Sequence, residues 1–239
     1  MLRAEGLTKR FRGGARALDG VSLTVADGEI CTLVGRNGAG KTTTLYCFLD
    51  FVRPDGGGAW IDDVEVARAP LVARRGVAYL AEQVAAYPTL TGRENVRFFA
   101  RLAGRADCSR RVAADALARL GLADDAIDRP VRTYSKGMRQ RVGLATAVAC
   151  CTRNLILDEP TSGLDPAAAG ELIALLRDLS RDGCAVLTSS HDLARAASAT
   201  DRAVCLDQGR VVADERLDGP TAERLERWYD AATVRQVPT

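Results

Sequence analysis

Apolar runs and helical patterns alternate along most of the chain. Runs rich in valine, isoleucine and leucine predict strands at residues 21–25, Ile30–Val34, 155–157 and 185–187, and a further short apolar run covers 76–80. Apolar residues at helical spacing predict helices at 41–51, 111–120, 167–179 and 221–232. Two apolar runs, 202–206 and 210–213, flank a turn sequence that is typical of a hairpin.

This alternation predicts an α/β fold with a largely parallel sheet. From residue 92 to 151 the pattern is continuously helical. The block from roughly 84 to 150 interrupts the series of strands, so we expect an inserted helical subdomain there. Neither a repeat nor a low-complexity linker divides the sequence, and residues 1–239 are predicted to form a single domain.

The composition is that of a soluble globular protein. Hydrophobic residues make up 47% of the 239 residues and charged residues 27%, which is too apolar for a disordered chain. The net charge of +2 argues against a dedicated, strongly basic DNA-binding surface. We therefore expect no nucleic-acid partner.

Cysteine usage and hydropathy exclude further classes. The seven cysteines show no CxxC spacing and the chain contains one histidine, which argues against a zinc site and against a disulfide framework. No window approaches the roughly 18 apolar residues of a membrane span, and the N-terminal segment lacks the apolar core of a signal peptide. The sequence predicts a cytosolic chain that does not span a membrane alone.

A glycine-rich segment follows the predicted strand Ile30–Val34 and opens the helix predicted at 41–51. It fits the pattern G-x-x-x-x-G-K-[ST] without a mismatch. Glycines let backbone N–H groups turn toward an anion, and the helix N-terminus adds its positive dipole end. Lys41 would then contact the β- and γ-phosphates, and the Thr42 hydroxyl would bind Mg²⁺. The predicted phosphate-binding residues are Gly35, Arg36, Asn37, Gly38, Ala39, Gly40, Lys41, Thr42 and Thr43.

Two carboxylates follow the apolar run at 155–157. Because the carboxyl ends of parallel strands meet at one edge of a sheet, Asp158 is predicted to face the Mg²⁺ held by Thr42. Side chains alternate along a strand, so Glu159 is expected to point elsewhere, toward the γ-phosphate and its attacking water. The sequence thus predicts a metal-binding carboxylate beside a general base.

The single histidine follows the apolar run at 185–187 and three hydroxyl residues. His191 therefore stands at the end of a second strand, near the same edge of the sheet. An imidazole in this position can hydrogen-bond a γ-phosphate and respond to its loss. We predict that His191, like Glu159, is a catalytic residue.

The order of these and two further motifs resembles a known family. Residues 134–141 form a serine-glycine segment between the glycine-rich loop and the carboxylates, and residues 162–165 read Ser-Gly-Leu-Asp. Together the motifs resemble the ATP-binding subunit of ABC transporters, from Phe11 to the hairpin after His191. The resemblance implies a P-loop NTPase core with a largely parallel sheet, an N-terminal antiparallel β subdomain and an inserted helical subdomain.

The resemblance also assigns roles by position. The glycine-rich loop matches Walker A, the two carboxylates match Walker B with its catalytic glutamate, and His191 matches the switch histidine. Phe11 matches an aromatic residue that stacks on adenine, although it would serve equally well in a core. Asp165 falls in the D-loop, and it is predicted together with Ser135 and Gly137 to bind the nucleotide. ATP and Mg²⁺ are the cofactors that the resemblance implies.

The signature segment departs from its usual form, Leu-Ser-Gly-Gly-Gln. Lys136 replaces the first glycine and Met138 replaces the glutamine, whereas Ser135 and Gly137 remain. In the family this segment contacts the γ-phosphate of ATP bound to the other subunit, so two ATPs lie within a head-to-tail dimer. Lys136 either adds a positive charge toward that phosphate or faces solvent, and the sequence does not decide between the two. The form of this segment resembles the branch that exports drugs, antibiotics or lipids.

The Q-loop is the second departure. Glu82 aligns with the usual glutamine position, and Gln83 follows one residue later. Either side chain is a candidate contact for Mg²⁺ or its water. Residues 87–95 resemble the region that receives a coupling helix from the permease.

The resemblance therefore implies an ATPase that powers a separate membrane permease and pairs with a second ATP-binding subunit. It would lie in the cytoplasm, on the inner face of the membrane through its permease, and would most closely fit the export of a drug-like, antibiotic or lipid substrate. The alternatives are an ABC importer subunit and a soluble ABC ATPase that acts on DNA or ribosomes. The soluble ABC ATPase lacks support because the chain has one cassette and no long insertion.

Overall fold

The computed structural model describes residues 1–193, 200–217 and 222–234. The strands are β1 (Leu2–Arg10), β2 (Arg16–Val25), β3 (Ile30–Val34), β4 (Gly56–Ile61), β5 (Val64–Glu65), β6 (Val77–Leu80), β7 (Asn154–Leu157), β8 (Ala185–Ser190), β9 (Arg202–Asp207) and β10 (Arg210–Arg216). The helices are α1 (Lys41–Phe48), α2 (Pro70–Arg75), α3 (Gly92–Leu102), α4 (Arg110–Arg119), α5 (Asp124–Ile127), α6 (Lys136–Ala149), α7 (Pro166–Arg181) and α8 (Ala222–Val234).

The larger sheet carries the order β10-β9-β3-β8-β7-β6. Its strands pair in parallel except for the β9–β10 hairpin. Every residue of β3, β7 and β8 is buried, as expected for central strands that are covered on both faces. The prediction of a largely parallel sheet is confirmed, and the carboxyl ends of β3, β7 and β8 meet at one edge.

The second sheet is antiparallel, with the order β2-β1-β4-β5. The N-terminal antiparallel β subdomain is thus confirmed, although the hydrophobic pattern alone indicated only the end of β2. In β1, Leu2, Ala4 and Leu7 are buried among charged and polar residues, which dilute the apolar signal. Strand β4 begins with three glycines, which are depleted in strands in general.

Helices α3 to α6 lie between β6 and β7 in the chain and pack on one another. Their buried residues include Val96 and Ala100 of α3, Leu117 of α4 and Ala145 of α6. Because these side chains recur at helical spacing, each helix buries one face in the shared cluster. The inserted helical subdomain is therefore confirmed as part of the fold.

The four helices predicted from the hydrophobic pattern end one to three residues away from the predicted positions. Helix α1 stops at Phe48 rather than at residue 51, because Asp50 adopts a φ of 55° and the chain turns. This turn leaves Phe51 exposed. The C-terminal helix was predicted at 221–232, and its first residue lies outside the described residues. Within the described ranges, no helix combines the length and apolarity that crossing a bilayer requires.

Candidate nucleotide-binding site

The glycine-rich loop connects the buried strand β3 to the first turn of α1. Gly40 is the residue before the helix and has a φ of 109°, which side-chain-bearing residues rarely adopt. A Cβ atom at this position would lie 2.7 Å from the carbonyl oxygen of Ala17. Glycine therefore lets the loop lie against β2 while the amide groups at the start of α1 remain directed at the loop's concave side.

Lys41 is the first residue of α1 and is almost fully buried. Its ammonium donates a hydrogen bond to the carbonyl oxygen of Gly35 at 2.6 Å and lies 4.0 Å from Oε1 of Glu159. Burial lowers the pKa of Lys41 from its ordinary value, while the nearby carboxylates of Glu159 and Asp158 act in the opposite direction. The loop thus holds one compact positive charge close to the two acids.

Asp158 follows β7 directly and lies beside the loop. Its Oδ1 atom is 3.4 Å from the hydroxyl of Thr42 and accepts a hydrogen bond from the hydroxyl of Ser189 at 2.6 Å. A hydroxyl and a carboxylate are hard oxygen donors, and Mg²⁺ is usually held by one or two such protein groups together with phosphate oxygens and water. The donor set at Thr42 and Asp158 fits this ion.

Glu159 has an unusual backbone conformation, with a φ of 49°. Its amide N–H donates a hydrogen bond to Oγ of Ser189, and its Oε2 lies 2.9 Å from Nδ1 of His191. The backbone N–H of His191 also donates to this oxygen at 3.3 Å. The catalytic pair predicted from the sequence is therefore in direct contact.

These groups border one polar cavity of about 530 Å³. Its lining residues are Ala17, Arg36, Asn37, Gly38, Ala39, Gly40, Lys41, Thr42, Thr43, Glu82, Asp158, Glu159 and His191. Of the two Q-loop candidates, Glu82 lines the cavity and Gln83 does not. The structure thus brings together the predicted metal-binding acid, the two predicted catalytic residues and the residues predicted to bind phosphate, except that Gly35 does not line the cavity.

Four other predicted residues lie away from this cavity. Phe11 is exposed on the turn between β1 and β2, which leads to the cavity residue Ala17. Ser135 caps α6 by accepting a hydrogen bond from the amide of Met138, and Gly137 lies in the first turn of the same helix. Asp165 caps α7 in the same way. The signature segment and the D-loop therefore do not complete the cavity of their own chain.

Lys136 is half-buried and has a partner within the chain, a contact that the sequence did not indicate. Its ammonium donates a hydrogen bond to the carbonyl oxygen of Ser162. The side-chain amide of Gln140, one turn later, donates to the carbonyl oxygen of Pro160. Helix α6 is thus attached at two points to the segment after the carboxylates.

Two further serines belong to the site, Ser162 of the predicted D-loop and Ser189 of the hydroxyl run before His191, and the sequence predicted no individual role for either. The Ser162 hydroxyl donates to Oε1 of Glu82 at 3.0 Å and so connects the Q-loop to the same segment. Ser189 contacts both Asp158 and Glu159. The only sequence signal for Ser189 is its place in the run of hydroxyl residues before His191, and serine is common in many other settings.

A second cavity, of about 670 Å³, opens between β6, α3 and α6. Its lining includes Phe51, Tyr79, Val84 and Phe99, and we call it the apolar groove. Phe51 is 58% exposed and packs edge-on against Tyr79, with ring centroids 6.0 Å apart. An exposed aromatic surface of this kind is typical of a protein-docking site.

Comparison with known proteins places these features in a family. The sequence profile described as "ABC transporter" matches residues 18–162. The daunorubicin resistance ATP-binding protein DrrA2 of Streptomyces coeruleorubidus is 40% identical over 218 residues, which cover 91% of this chain and 67% of the relative. A fluoroquinolones export ATP-binding protein of Mycobacterium tuberculosis is 39% identical over 230 residues, covering 95% and 73%.

Relatives named for import are also similar. The phosphonates import ATP-binding protein PhnC 1 of Rhodopseudomonas palustris is 37% identical over 245 residues, covering 96% of this chain and 86% of the relative. Relatives that are 37% to 40% identical to this chain are therefore named for export or drug resistance and also for import.

Solved structures agree with the sequence matches. An ATP-binding subunit of an ABC transporter superimposes with a TM-score of 0.83 at 30% identity, covering 96% of this chain and 99% of that one. A dimeric ATP-binding cassette, MJ0796, bound to ADP and phosphate, gives a TM-score of 0.80 at 26% identity, covering 92% and 100%. By profile, relatives and fold, this chain belongs to the ABC transporter family, as an ATP-binding subunit of the ABC ATPase type.

Proposed function

We propose that this chain hydrolyses ATP to power a separate membrane permease that exports a drug-like, antibiotic or lipid substrate. The observation that carries the ATPase part is the convergence of Lys41, Asp158, Glu159 and His191 on one cavity beside the glycine-rich loop. The proposal treats residues 1–239 as a single ABC ATPase domain, with a helical subdomain at roughly 84–150.

The charges of the cavity suit phosphoryl transfer, which depends mainly on positioning and charge neutralisation. The Lys41 ammonium and the amides at the start of α1 bind the β- and γ-phosphates. Thr42 and Asp158 hold Mg²⁺, which when bound neutralises charge on the phosphate oxygens, and Glu82 faces the same space. Arg36 and Thr43 complete the phosphate-facing lining.

The catalytic pair supplies the proton chemistry. Glu159 accepts a proton from the attacking water, and its Oε2 atom is held 2.9 Å from Nδ1 of His191. His191 is 57% exposed, so its ring is free to reach the γ-phosphate from the rim of the cavity. Loss of that phosphate would change the contacts of both residues.

A second ATP-binding subunit completes the site. Ser135, Gly137 and Asp165 lie at the starts of α6 and α7, outside the cavity of their own chain, and backbone amides at such helix ends bind anions. We therefore assign them to the γ-phosphate and the interface of the partner's site in a head-to-tail dimer. Phe11 is assigned to adenine. The dimeric cassette that superimposes on this chain supports this arrangement.

The permease is the proposed occupant of the apolar groove. The groove lies between the strand that pairs with β7 and the helical subdomain, so a docked helix would touch both parts. This contact would hold the chain at the inner face of the membrane. The relatives named for daunorubicin resistance and fluoroquinolone export support export, whereas the phosphonate relative supports import as the second candidate.

The first test is Mg²⁺-dependent ATP hydrolysis by the purified chain, with EDTA expected to abolish it. Absence of turnover in the presence of Mg²⁺ and a co-expressed permease would overturn the ATPase assignment.

The direction of transport is tested with inside-out membrane vesicles from cells that express both chains. ATP-driven accumulation of a fluorescent drug inside these vesicles supports export, and ATP-driven uptake only into right-side-out vesicles loaded with ATP supports import.

A further inference from the structure

Ser189 is a fully buried residue near the end of β8. In the parallel pairing of β7 with β8, Leu157 lies opposite Thr188. Ser189 therefore lies next to Asp158, one step beyond the last paired residues, where the carboxyl ends of both strands meet. No role in ATP hydrolysis follows for this serine from the motifs of the chain.

Its hydroxyl uses both of its hydrogen-bonding capacities on the two acids. Oγ donates to Oδ1 of Asp158 at 2.6 Å and accepts the backbone N–H of Glu159 at 3.0 Å. A buried hydroxyl with these two partners fixes the position of both groups relative to β8, because neither partner can move away without losing a hydrogen bond to a fully buried group.

The two partners are the parts of the site that most need a fixed orientation. Oδ1 of Asp158 is the same atom that faces the Thr42 hydroxyl, so the bond from Ser189 orients the carboxylate assigned to Mg²⁺. The backbone of Glu159 has a φ of 49°, which non-glycine residues adopt rarely. The hydrogen bond to its N–H holds this conformation, and from it the Glu159 carboxylate reaches His191.

Neighbouring hydroxyls do not share this arrangement. Thr32 of the adjacent strand β3 is buried, and its hydroxyl has no hydrogen-bond partner within the described residues. The hydroxyl of Ser190 bonds the backbone of Asp192, two residues along the chain. The contact with the acid pair is therefore specific to position 189 among these strand residues.

We propose that Ser189 is a positioning residue for ATP hydrolysis, because one hydroxyl orients both the metal-binding carboxylate and the backbone of the general base. The inference rests on the proposed ATPase function and adds a residue to its site. Outer-shell partners of metal-binding groups typically contribute about 10- to 100-fold to metal affinity or activity. Substitution Ser189→Ala removes the hydroxyl without adding volume, so the fold should tolerate it.

The matched control is Ser180→Ala. Ser180 is also buried, and its hydroxyl donates one hydrogen bond, to the carbonyl oxygen of Gly28 at 2.8 Å. Gly28 precedes β3, at the opposite end of that strand from the glycine-rich loop. The control therefore loses a buried serine hydroxyl at a place remote from the acids, and any general loss of stability appears in both variants.

Two measurements test the proposal. In steady-state kinetics, Ser189→Ala should lower kcat about 10- to 100-fold and raise the Mg²⁺ concentration for half-maximal rate, with the KM for ATP nearly unchanged. In the second, Mn²⁺ is titrated by electron paramagnetic resonance with a non-hydrolysable ATP analogue present, and Ser189→Ala should bind it about tenfold more weakly. Ser180→Ala should match the wild type in both.

These experiments distinguish a failure of the ATPase function from a failure of the Ser189 role. If the wild type neither hydrolyses ATP nor binds Mn²⁺ with the analogue, the proposed function fails. If the wild type does both, and Ser189→Ala equals Ser180→Ala in kcat, Mg²⁺ dependence and Mn²⁺ affinity, the positioning role of Ser189 fails alone. Thermal unfolding of both variants verifies that they are folded at the assay temperature.

Discussion

The polar cavity and the apolar groove are built on opposite principles, although they are neighbours. In the cavity, buried charged and hydroxyl groups each have a defined partner, as Lys41, Asp158 and Ser189 show. In the groove, the aromatic rings of Phe51 and Tyr79 are left partly exposed and pack edge-on against each other and against Tyr46. Chemistry needs preorganised polar groups, whereas docking needs apolar surface that another molecule can cover.

The two regions are nevertheless joined by one strand pair. Strand β6 supplies Tyr79 and Leu80 to the groove, and the carbonyl oxygen of Leu80 accepts the backbone N–H of Asp158 at 2.9 Å. The segment that follows alternates between them, because Ala81 and Val84 line the groove and Glu82 lines the cavity. The two regions nevertheless share no lining residue, so substitutions in the cavity should affect catalysis and substitutions in the groove should affect docking.

The largest effect is expected from Glu159→Gln on the polar side. Removing a general base typically lowers the rate about 10²- to 10⁴-fold, while the phosphate-binding groups remain. The variant should bind ATP and accumulate as a dimer, measured by light scattering after size exclusion. Glu65→Gln, on the distant strand β5, is the control. Turnover at the wild-type rate would remove Glu159 from the role of base.

The second largest effect is expected from Lys41→Ala, which should weaken ATP binding. Hydrogen bonds to charged groups contribute about 1.5 to 3 kcal/mol, so ATP affinity should fall roughly 10- to 150-fold. Isothermal titration calorimetry with ATP and Mg²⁺ measures this change. Arg181→Ala removes a basic residue that pairs with Asp178 near the end of α7, away from the cavity, and its affinity should equal that of the wild type. Unchanged binding by Lys41→Ala would contradict the assignment of the glycine-rich loop.

On the apolar side, Phe51→Ser should weaken binding of the permease without lowering the rate of ATP hydrolysis. Loss of an aromatic docking residue costs about 1 to 2 kcal/mol, or roughly 5- to 30-fold in affinity. Recovery of the co-expressed permease in mild detergent should fall, while the ATPase rate of the isolated chain stays within about twofold. Leu71→Ser is the matched control, since Leu71 is 73% exposed but does not line the groove. Equal recovery from both variants would refute the docking site.

The smallest effect is expected where the two regions meet. Ser162→Ala removes the hydrogen bond to Glu82, which contributes about 1 kcal/mol. Hydrogen exchange of the amides in residues 81–86 should accelerate roughly fivefold, measured by mass spectrometry. Ser109→Ala deletes the cap of α4 and should leave this segment unchanged. Identical exchange in residues 81–86 of wild type and Ser162→Ala would show that Ser162 does not restrain the Q-loop.

Sequence reasoning recovered the parts of this molecule that local chemistry specifies. Strand β3, the glycine-rich loop and the two carboxylates are recognisable because an apolar run and a fixed spacing of few residue types suffice. Strand β1 was missed, since its charged residues face outward and hide the buried positions Leu2 and Leu7. Partners distant in sequence were also missed, because no spacing rule relates Lys136 to the Ser162 carbonyl or Ser189 to Asp158.

The bond from Lys136 to the Ser162 carbonyl has a consequence for sequence variation. Because the acceptor is a main-chain carbonyl, the bond does not depend on the side chain at 162, whereas position 136 needs a long donor that reaches a segment 26 residues later. Replacing Lys136 with the glycine of the standard signature would remove this attachment of α6, and the bond from Gln140 to the Pro160 carbonyl would be left to hold the segment.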